Sequence, residues 1–85
     1  MSSNSVEEVR VVVLEKLSGG YSFTALDIAN EISVHNSSIG YSQVAQTIRD
    51  MFETGTIQNY GYLRRLEQIT LEGLKVHAYR YYHRV

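Results

Sequence analysis

The chain has 85 residues, of which 44% are hydrophobic and 20% charged, a composition in the ordinary globular range and a length that allows one core but not two. It contains no cysteine, which excludes disulfide frameworks, thiolate metal sites and cysteine nucleophiles. The net charge of −1 argues against a protein that coats nucleic acid indiscriminately. No apolar run approaches the ~20 residues of a membrane span and no secretion signal opens the chain, so we expect an intracellular, cytoplasmic protein.

The first predicted helix covers about residues 6 to 18, after a tail of residues 1 to 5 that we expect to be disordered. Ser5 and Glu8 have the spacing of a capping box at a helix start, and the Gly19-Gly20 pair is typical of a helix end. The residues that share the apolar face of this helix are Val6, Val9, Val13 and Leu17.

The second predicted helix covers about residues 25 to 32. Thr24 and Asp27 form the cap signature at its start, and Phe23, just before the cap, is placed to act as a hydrophobic staple. The apolar face consists of Ala25, Ile28, Ala29 and Ile32. Residues 33 to 40, rich in Ser, Asn and Gly, predict a loop.

The third predicted helix begins at Tyr41 and ends at Gly55, where the glycine favours a C-terminal cap. One side of this helix is apolar and the opposite side is polar and rich in amides. The apolar side holds Val44, Ile48, Met51 and Phe52. The polar side holds Ser42, Gln43, Gln46, Arg49, Asp50 and Glu53.

Strands are predicted after Gly55, first at residues 56 to 60 and then in a long hairpin whose tip is Glu72-Gly73. Pairing around that tip gives two faces, an alternation typical of a half-buried sheet. The mostly apolar face pairs Leu71 with Leu74, Ile69 with Val76, Glu67 with Ala78, and Leu63 with Tyr82. The other face carries Thr70, Lys75, Gln68, His77, Leu66, Tyr79, Arg64, Tyr81, Tyr62 and His83. A slip of one residue would exchange the faces.

Charge is distributed unevenly along the chain. Residues 1 to 31 hold two basic and five acidic residues, a net charge of −3, whereas residues 62 to 85 hold five basic and two acidic residues, a net charge of +3. Because Lys and Arg supply most of the non-specific affinity for nucleic acid, we expect any phosphate-facing surface to be built largely from the C-terminal part.

The order of elements is helix, short extended segment, capped helix, loop, amphipathic helix and hairpin, and in this order the sequence resembles the winged-helix family. The stretches that carry the resemblance are residues 23 to 32 and 41 to 57. In size and composition the chain is similar to small viral and plasmid regulators of archaea. The resemblance implies an α+β fold, with a three-helix core and a C-terminal β-hairpin wing, in a single domain over residues 6 to 85. For a viral protein it also implies the host cell cytoplasm.

Two features depart from the family pattern. The connection between the second and third helices is longer than in a compact helix-turn-helix. The hairpin, from Tyr62 to Tyr82, is long and places Leu71 and Leu74 beside its tip, where basic residues would be expected.

The resemblance implies sequence-specific binding of double-stranded DNA by a transcriptional regulator. A helix fits the major groove, and side chains near its start reach base edges, so we expect Ser42, Gln43, Gln46 and Arg49 to read bases. We expect phosphate contacts from the helix starts and from the hairpin. The residues expected to make them are Thr24, Tyr41, Arg64, Lys75 and Arg80.

A homodimer is a further expectation, since Val11, Leu14, Leu71 and Leu74 form apolar surface beyond what the predicted core needs. For Val11 and Leu14, cover by the domain's own hairpin is an equal alternative. A symmetric dimer would present two recognition helices to half-sites about 34 Å apart.

Other interpretations remain open for several of these residues. A polar helix face is more often simply solvated, and Asp50 and Glu53 would repel phosphate. The hairpin tyrosines favour cross-strand packing over stacking on single strands. His77 and His83 are about 20 Å apart along a strand, too far to bind one metal ion. The sequence has no nucleophile elbow, phosphate-binding glycine loop or paired-carboxylate site, so we expect no metal, cofactor or enzymatic activity. The alternative function is a winged-helix module for protein–protein interaction or an accessory in replication initiation.

Overall fold

The computed structural model describes residues 3–35 and 38–84, and its side chains from residue 6 onward. These residues form an α+β structure of three helices and a three-stranded antiparallel sheet, an arrangement compatible with a winged helix. The helices are α1 (Ser3–Gly19), α2 (Ala25–Ser33) and α3 (Tyr41–Glu53). The strands are β1 (Phe23–Thr24), β2 (Tyr62–Leu71) and β3 (Leu74–His83).

The sheet has the strand order β1-β3-β2. Strands β2 and β3 form the hairpin in the predicted register, with Leu71 opposite Leu74 and Leu63 opposite Tyr82. The short strand β1 pairs with the base of β3 through Phe23 and Tyr81. The part of β3 nearer the tip, from residue 74 to 79, has no second partner strand among the described residues.

The three helices and the base of the sheet enclose one hydrophobic core. The predicted apolar faces of α2 and α3 are buried, apart from a half-buried Phe52. On α1 the predicted face is buried except at its first residue, because Val6 lies near the helix start and is 40% exposed. Full burial of a large apolar side chain stabilises the fold by roughly 1.5–3 kcal/mol, so this core is the main source of stability.

Hairpin orientation is set at the base of the sheet by aromatic packing. The Phe23 ring lies 5.4 Å from that of Tyr81 and 6.1 Å from that of Tyr62, and all three residues are buried. The face that meets the helices therefore carries Tyr62, Arg64, Tyr79 and Tyr81. The mostly apolar face lies outward, although the alternation of residues alone would favour burying it.

Two boundaries differ from the sequence prediction. Helix α1 begins at Ser3, so Ser5 lies within the helix instead of capping it, and the predicted tail overlaps the helix at residues 3 to 5. Residues 1 and 2 and the side chain of Ser5 lie outside the described part.

The predicted strand at residues 56 to 60 is wrong. Gly55 takes a φ of +92°, after which local hydrogen bonds hold the chain in turns: the Ile57 amide donates to Met51 and the Asn59 amide to Gly55. Residues Gln58–Tyr60 form a 3₁₀ helix. The β-branched residues Thr56 and Ile57 therefore lie in turns and not in a strand, and Ile57 is fully buried. Among the described residues, no helix is long and apolar enough to cross a membrane.

Candidate nucleic-acid interface

The polar face of α3 is on the surface, as its helical periodicity predicts. Ser42, Gln46 and Arg49 are exposed and Gln43 is half-buried. Tyr41, at the first position of the helix, is half-buried and packs against the core. The surface available to a duplex along α3, from its start to Arg49, therefore consists of Ser42, Gln46, Arg49 and part of Gln43.

Gln46 already has an intrahelical partner, because its amide nitrogen donates to the Asp50 carboxylate at 2.9 Å. This bond fixes the orientation of the amide and leaves its oxygen free to accept. It also places a carboxylate beside a residue predicted to read bases, and Glu53 follows on the same exposed face. Since both carboxylates repel phosphate, the surface suited to a duplex ends near Arg49.

A cleft of about 360 Å³ separates α3 from the hairpin, and we call it the α3–hairpin cleft. Three of its lining residues are alanines. Its walls bring together a predicted base-reading residue and a predicted phosphate contact. The lining includes Tyr41, Ala45, Arg49, Arg64, Leu66 and Tyr79.

Arg64 packs between two aromatic rings instead of extending into solvent. Its guanidinium carbon lies 4.2 Å from the centre of the Phe52 ring and 4.2 Å from that of Tyr79. One terminal nitrogen, Nη1, is buried and has no hydrogen-bond partner within the described chain. Cation–π contacts of this kind contribute about 0.5–2 kcal/mol each, depending on burial. Arg64 therefore joins the hairpin to α3, and it is not the freely reaching phosphate contact that we expected.

The phenol of Tyr81 lies beside the Arg64 guanidinium. Burial raises its pKa above the ordinary value of 10.0, and the Arg64 guanidinium beside it acts in the opposite direction. Because Tyr81 is neutral at physiological pH, the positive charge of Arg64 meets no opposite charge here. No ion pair in the described chain includes Arg64 or Arg49.

Arg80 lies on the outer face of the hairpin, away from α3, and its guanidinium already interacts with neighbouring acidic and hydroxyl groups. Its Nε donates to Glu67 at 3.0 Å, and its Nη1 donates to the Ser22 hydroxyl at 3.1 Å and lies 3.9 Å from Asp27. Arg65 binds the other oxygen of Glu67 at 3.0 Å. These two arginines hold the pKa of the Glu67 carboxyl below its usual range. The expectation that Arg80 grips the DNA backbone therefore does not fit its position.

Thr24 also lies outside the accessible surface. Its side chain accepts a hydrogen bond from the Asp27 amide at 3.2 Å, and the Asp27 carboxylate accepts one from the Thr24 amide at 3.0 Å. This reciprocal capping box confirms the predicted helix start. Because Thr24 is only 2% exposed, its hydroxyl does not reach a phosphate.

The hairpin face toward the α3–hairpin cleft continues to the tip as a polar surface. Lys75 is exposed on this face, as are Gln68 and His77, which form a cross-strand pair. Gln68 and His77 were not among the residues predicted to contact DNA, although the predicted pairing had already placed them on the same face as Lys75. Every second residue along β2 from Arg64, together with its partner on β3, lies on this face. This alternation would have identified both residues.

Of the four residues predicted to form a dimer interface, one packs against the core and the others lie at least partly on the surface. Leu14 packs against the core of its own chain, which removes it from a free surface. Val11 is 53% exposed and Leu74 is 69% exposed. Leu71 is half-buried at the tip of the outer hairpin face, next to Ile69 and Val76.

Within residues 3–35 and 38–84, no three His, Asp or Glu side chains are grouped as metal ligands would be. Comparisons of the chain with family models, with curated proteins and with solved structures found no match.

Proposed function

We propose that this protein is a winged-helix regulator of transcription that binds specific sequences in double-stranded DNA and has no catalytic role. Helix α3 enters the major groove, and the hairpin lies against the backbone with its inner face. The observation that carries this proposal is the sorting of charge between the two sides of the sheet. Arg49, Arg64 and Lys75 on the α3 side have no ion-pair partner in the described chain, whereas Arg65 and Arg80 on the outer side are paired.

This sorting matters because an arginine already bound to carboxylates gains little from a phosphate. An unpaired cation releases the counterions that drive binding to DNA. Although the net charge of the whole chain is −1, Arg49 and Lys75 are exposed on the side that carries α3 and the inner hairpin face and stay available to DNA, while Arg64 is held between its two rings. Lys75 and His77 extend that side beyond the helix, in the position of a contact to the adjacent backbone.

Sequence reading is assigned to the accessible residues of α3 between Ser42 and Arg49. The Gln46 amide can pair with both edge groups of adenine, and the Arg49 guanidinium with those of guanine. Each bidentate pair discriminates by about 1–3 kcal/mol. Ser42 and Gln43 lie one turn earlier, where a recognition helix approaches the base edges.

The test uses a binding site selected from random duplexes and fluorescence anisotropy at several salt concentrations. Gln46→Ala should weaken binding to the selected site by roughly 1–3 kcal/mol and leave binding to mixed sequence unchanged. Lys75→Gln should weaken both about equally and make the salt slope shallower by about one phosphate contact.

Arg65→Gln is the matched control, since it removes one hairpin cation from the outer face. It should leave both affinities unchanged. Equal effects of Arg65→Gln and Lys75→Gln would contradict the assignment of the inner face to DNA, and failure of the selection to enrich any duplex would overturn the proposed function.

A second candidate function is a protein-interaction module. The outer hairpin face favours it, because the apolar residues near the tip meet no helix of the described chain, while Asp50 and Glu53 restrict the surface that suits DNA. In that case the mixed-sequence duplex would show no binding even at low salt.

A further inference from the structure

From the α3–hairpin cleft we infer a second binding site, one for a small aromatic anion. The cleft has a volume of about 360 Å³, the lower end of the range for small-molecule sites, roughly 300–1,000 Å³. It would hold about a dozen water molecules at ~30 Å³ each. The site lies beside the proposed DNA surface and shares Arg49 with it.

Positive charge in the cleft indicates an anion. Arg49 and Arg64 both line it, and neither takes part in an ion pair of the described chain. Glu53 is the one carboxylate among the lining residues. Contacts with two aromatic rings favour the position of the Arg64 guanidinium in the cleft. A fixed cation next to a water-limited wall attracts an anion more strongly than a cation surrounded by solvent.

The remaining walls indicate that the anion carries a flat apolar body. Tyr41, Tyr79 and Leu66 line the cleft, and Leu66 is 58% exposed, so its apolar side chain is accessible to a ligand. Two arginines beside aromatic and apolar walls suit a ligand that has both an anionic group and a flat apolar body.

If the proposed DNA binding holds, this site also regulates it, because a carboxylate bound at Arg49 competes with a base or phosphate for the same guanidinium. Binding of the anion and binding of DNA would then weaken each other by the same factor. The ligand site itself does not depend on that function.

The test is an NMR titration of the full chain, without DNA, using 1-naphthoate as the probe and its neutral isostere 1-naphthamide as the matched ligand. We expect naphthoate to shift amides of residues 41–53, 64–66 and 77–81 in a saturable way, with at least tenfold weaker binding of naphthamide. Arg49→Gln should weaken naphthoate binding about tenfold. Lys75→Gln, which removes a cation outside the cleft, should leave it unchanged.

Three results would overturn the inference: equal binding of the acid and the amide, shifts centred on the outer hairpin face, or inorganic phosphate binding as tightly as naphthoate. The last would mean that the cleft recognises charge alone. Adding naphthoate to the anisotropy experiment separates the two proposals. Competition supports both, and naphthoate binding by a protein that ignores DNA supports only the ligand site.

Discussion

At the scale of single residues, Tyr62 shows how one side chain fixes the hairpin to the helices. Its ring is fully buried beside Phe23. Its hydroxyl donates to the carbonyl of Lys16 at 3.1 Å and to that of Tyr21 at 2.6 Å. The hydroxyl thus binds the end of α1 and the segment that leads to β1, so the first residue of β2 holds both.

Tyr62→Phe keeps the ring and removes these hydrogen bonds, and we expect it to lower the free energy of unfolding by about 1–3 kcal/mol. Burial raises the pKa of Tyr62 above its ordinary value of 10.0, so the folded state favours the neutral phenol. The stability it provides is therefore complete below pH 10.0 and is lost as the pH rises through the folded-state pKa.

Urea unfolding at neutral pH and above pH 10.0 checks this expectation. The difference between the natural chain and Tyr62→Phe should shrink at the higher pH, whereas the exposed control Tyr60→Phe should match the natural chain at both. A difference that grows with pH would contradict the assigned direction.

At the scale of elements, α2 is the helix whose start is most firmly specified by local sequence. The Thr24 hydroxyl and the Asp27 carboxylate satisfy each other's backbone amides. Thr24 also belongs to β1 and pairs with Arg80 of β3. The same residue therefore ends the short strand and begins the helix.

We expect Thr24→Ala to lower the free energy of unfolding by about 1 kcal/mol, the usual cost of losing such a cap. The affinity of the folded protein for DNA should not change, because Thr24 is covered. Thermal unfolding and anisotropy measure the two effects separately, with Ser18→Ala on α1 as an exposed-hydroxyl control. If Thr24→Ala lowered the affinity for DNA without lowering the free energy of unfolding, Thr24 would have to contact DNA.

Local signals were enough to predict the three helices and the hairpin register. The periodicity of α3 was decisive because one side of it is buried and the other exposed, and the Glu72-Gly73 tip fixed the pairing of Leu71 with Leu74. The orientation of the sheet depended on long-range packing of Phe23 with Tyr81, which no local pattern encodes. The partners of Arg64 and Arg80 were missed for the same reason, since a count of charges does not show which of them are paired.

At the scale of the whole molecule, the outer hairpin face carries an apolar surface near its tip that does not belong to the hydrophobic core of the described residues. Near the tip it carries Ile69, Leu71, Leu74 and Val76, two cross-strand pairs in a row. A two-stranded ribbon is marginally stable in water unless another element covers its apolar face. We propose that a second copy of the chain provides this cover through a two-fold contact, which the identical patch on each copy permits.

Sedimentation equilibrium at high micromolar concentration tests this arrangement. We expect the natural chain to sediment above its monomer mass of 9.7 kDa and Leu74→Gln to shift the equilibrium toward monomer. Leu66→Gln changes an exposed leucine on the opposite sheet face and should leave the mass unchanged. A natural chain that sediments only as the monomer would contradict a dimer.

The most direct measurement of the central claim is a heteronuclear NMR titration of the natural chain with a mixed-sequence duplex at low salt. Our account predicts that amide shifts begin at residues 41–49 and on the inner hairpin face at Gln68, Lys75 and His77. Shifts confined to α1 and the outer hairpin face, or none at all, would show that the polar side of α3 is an ordinary solvated surface.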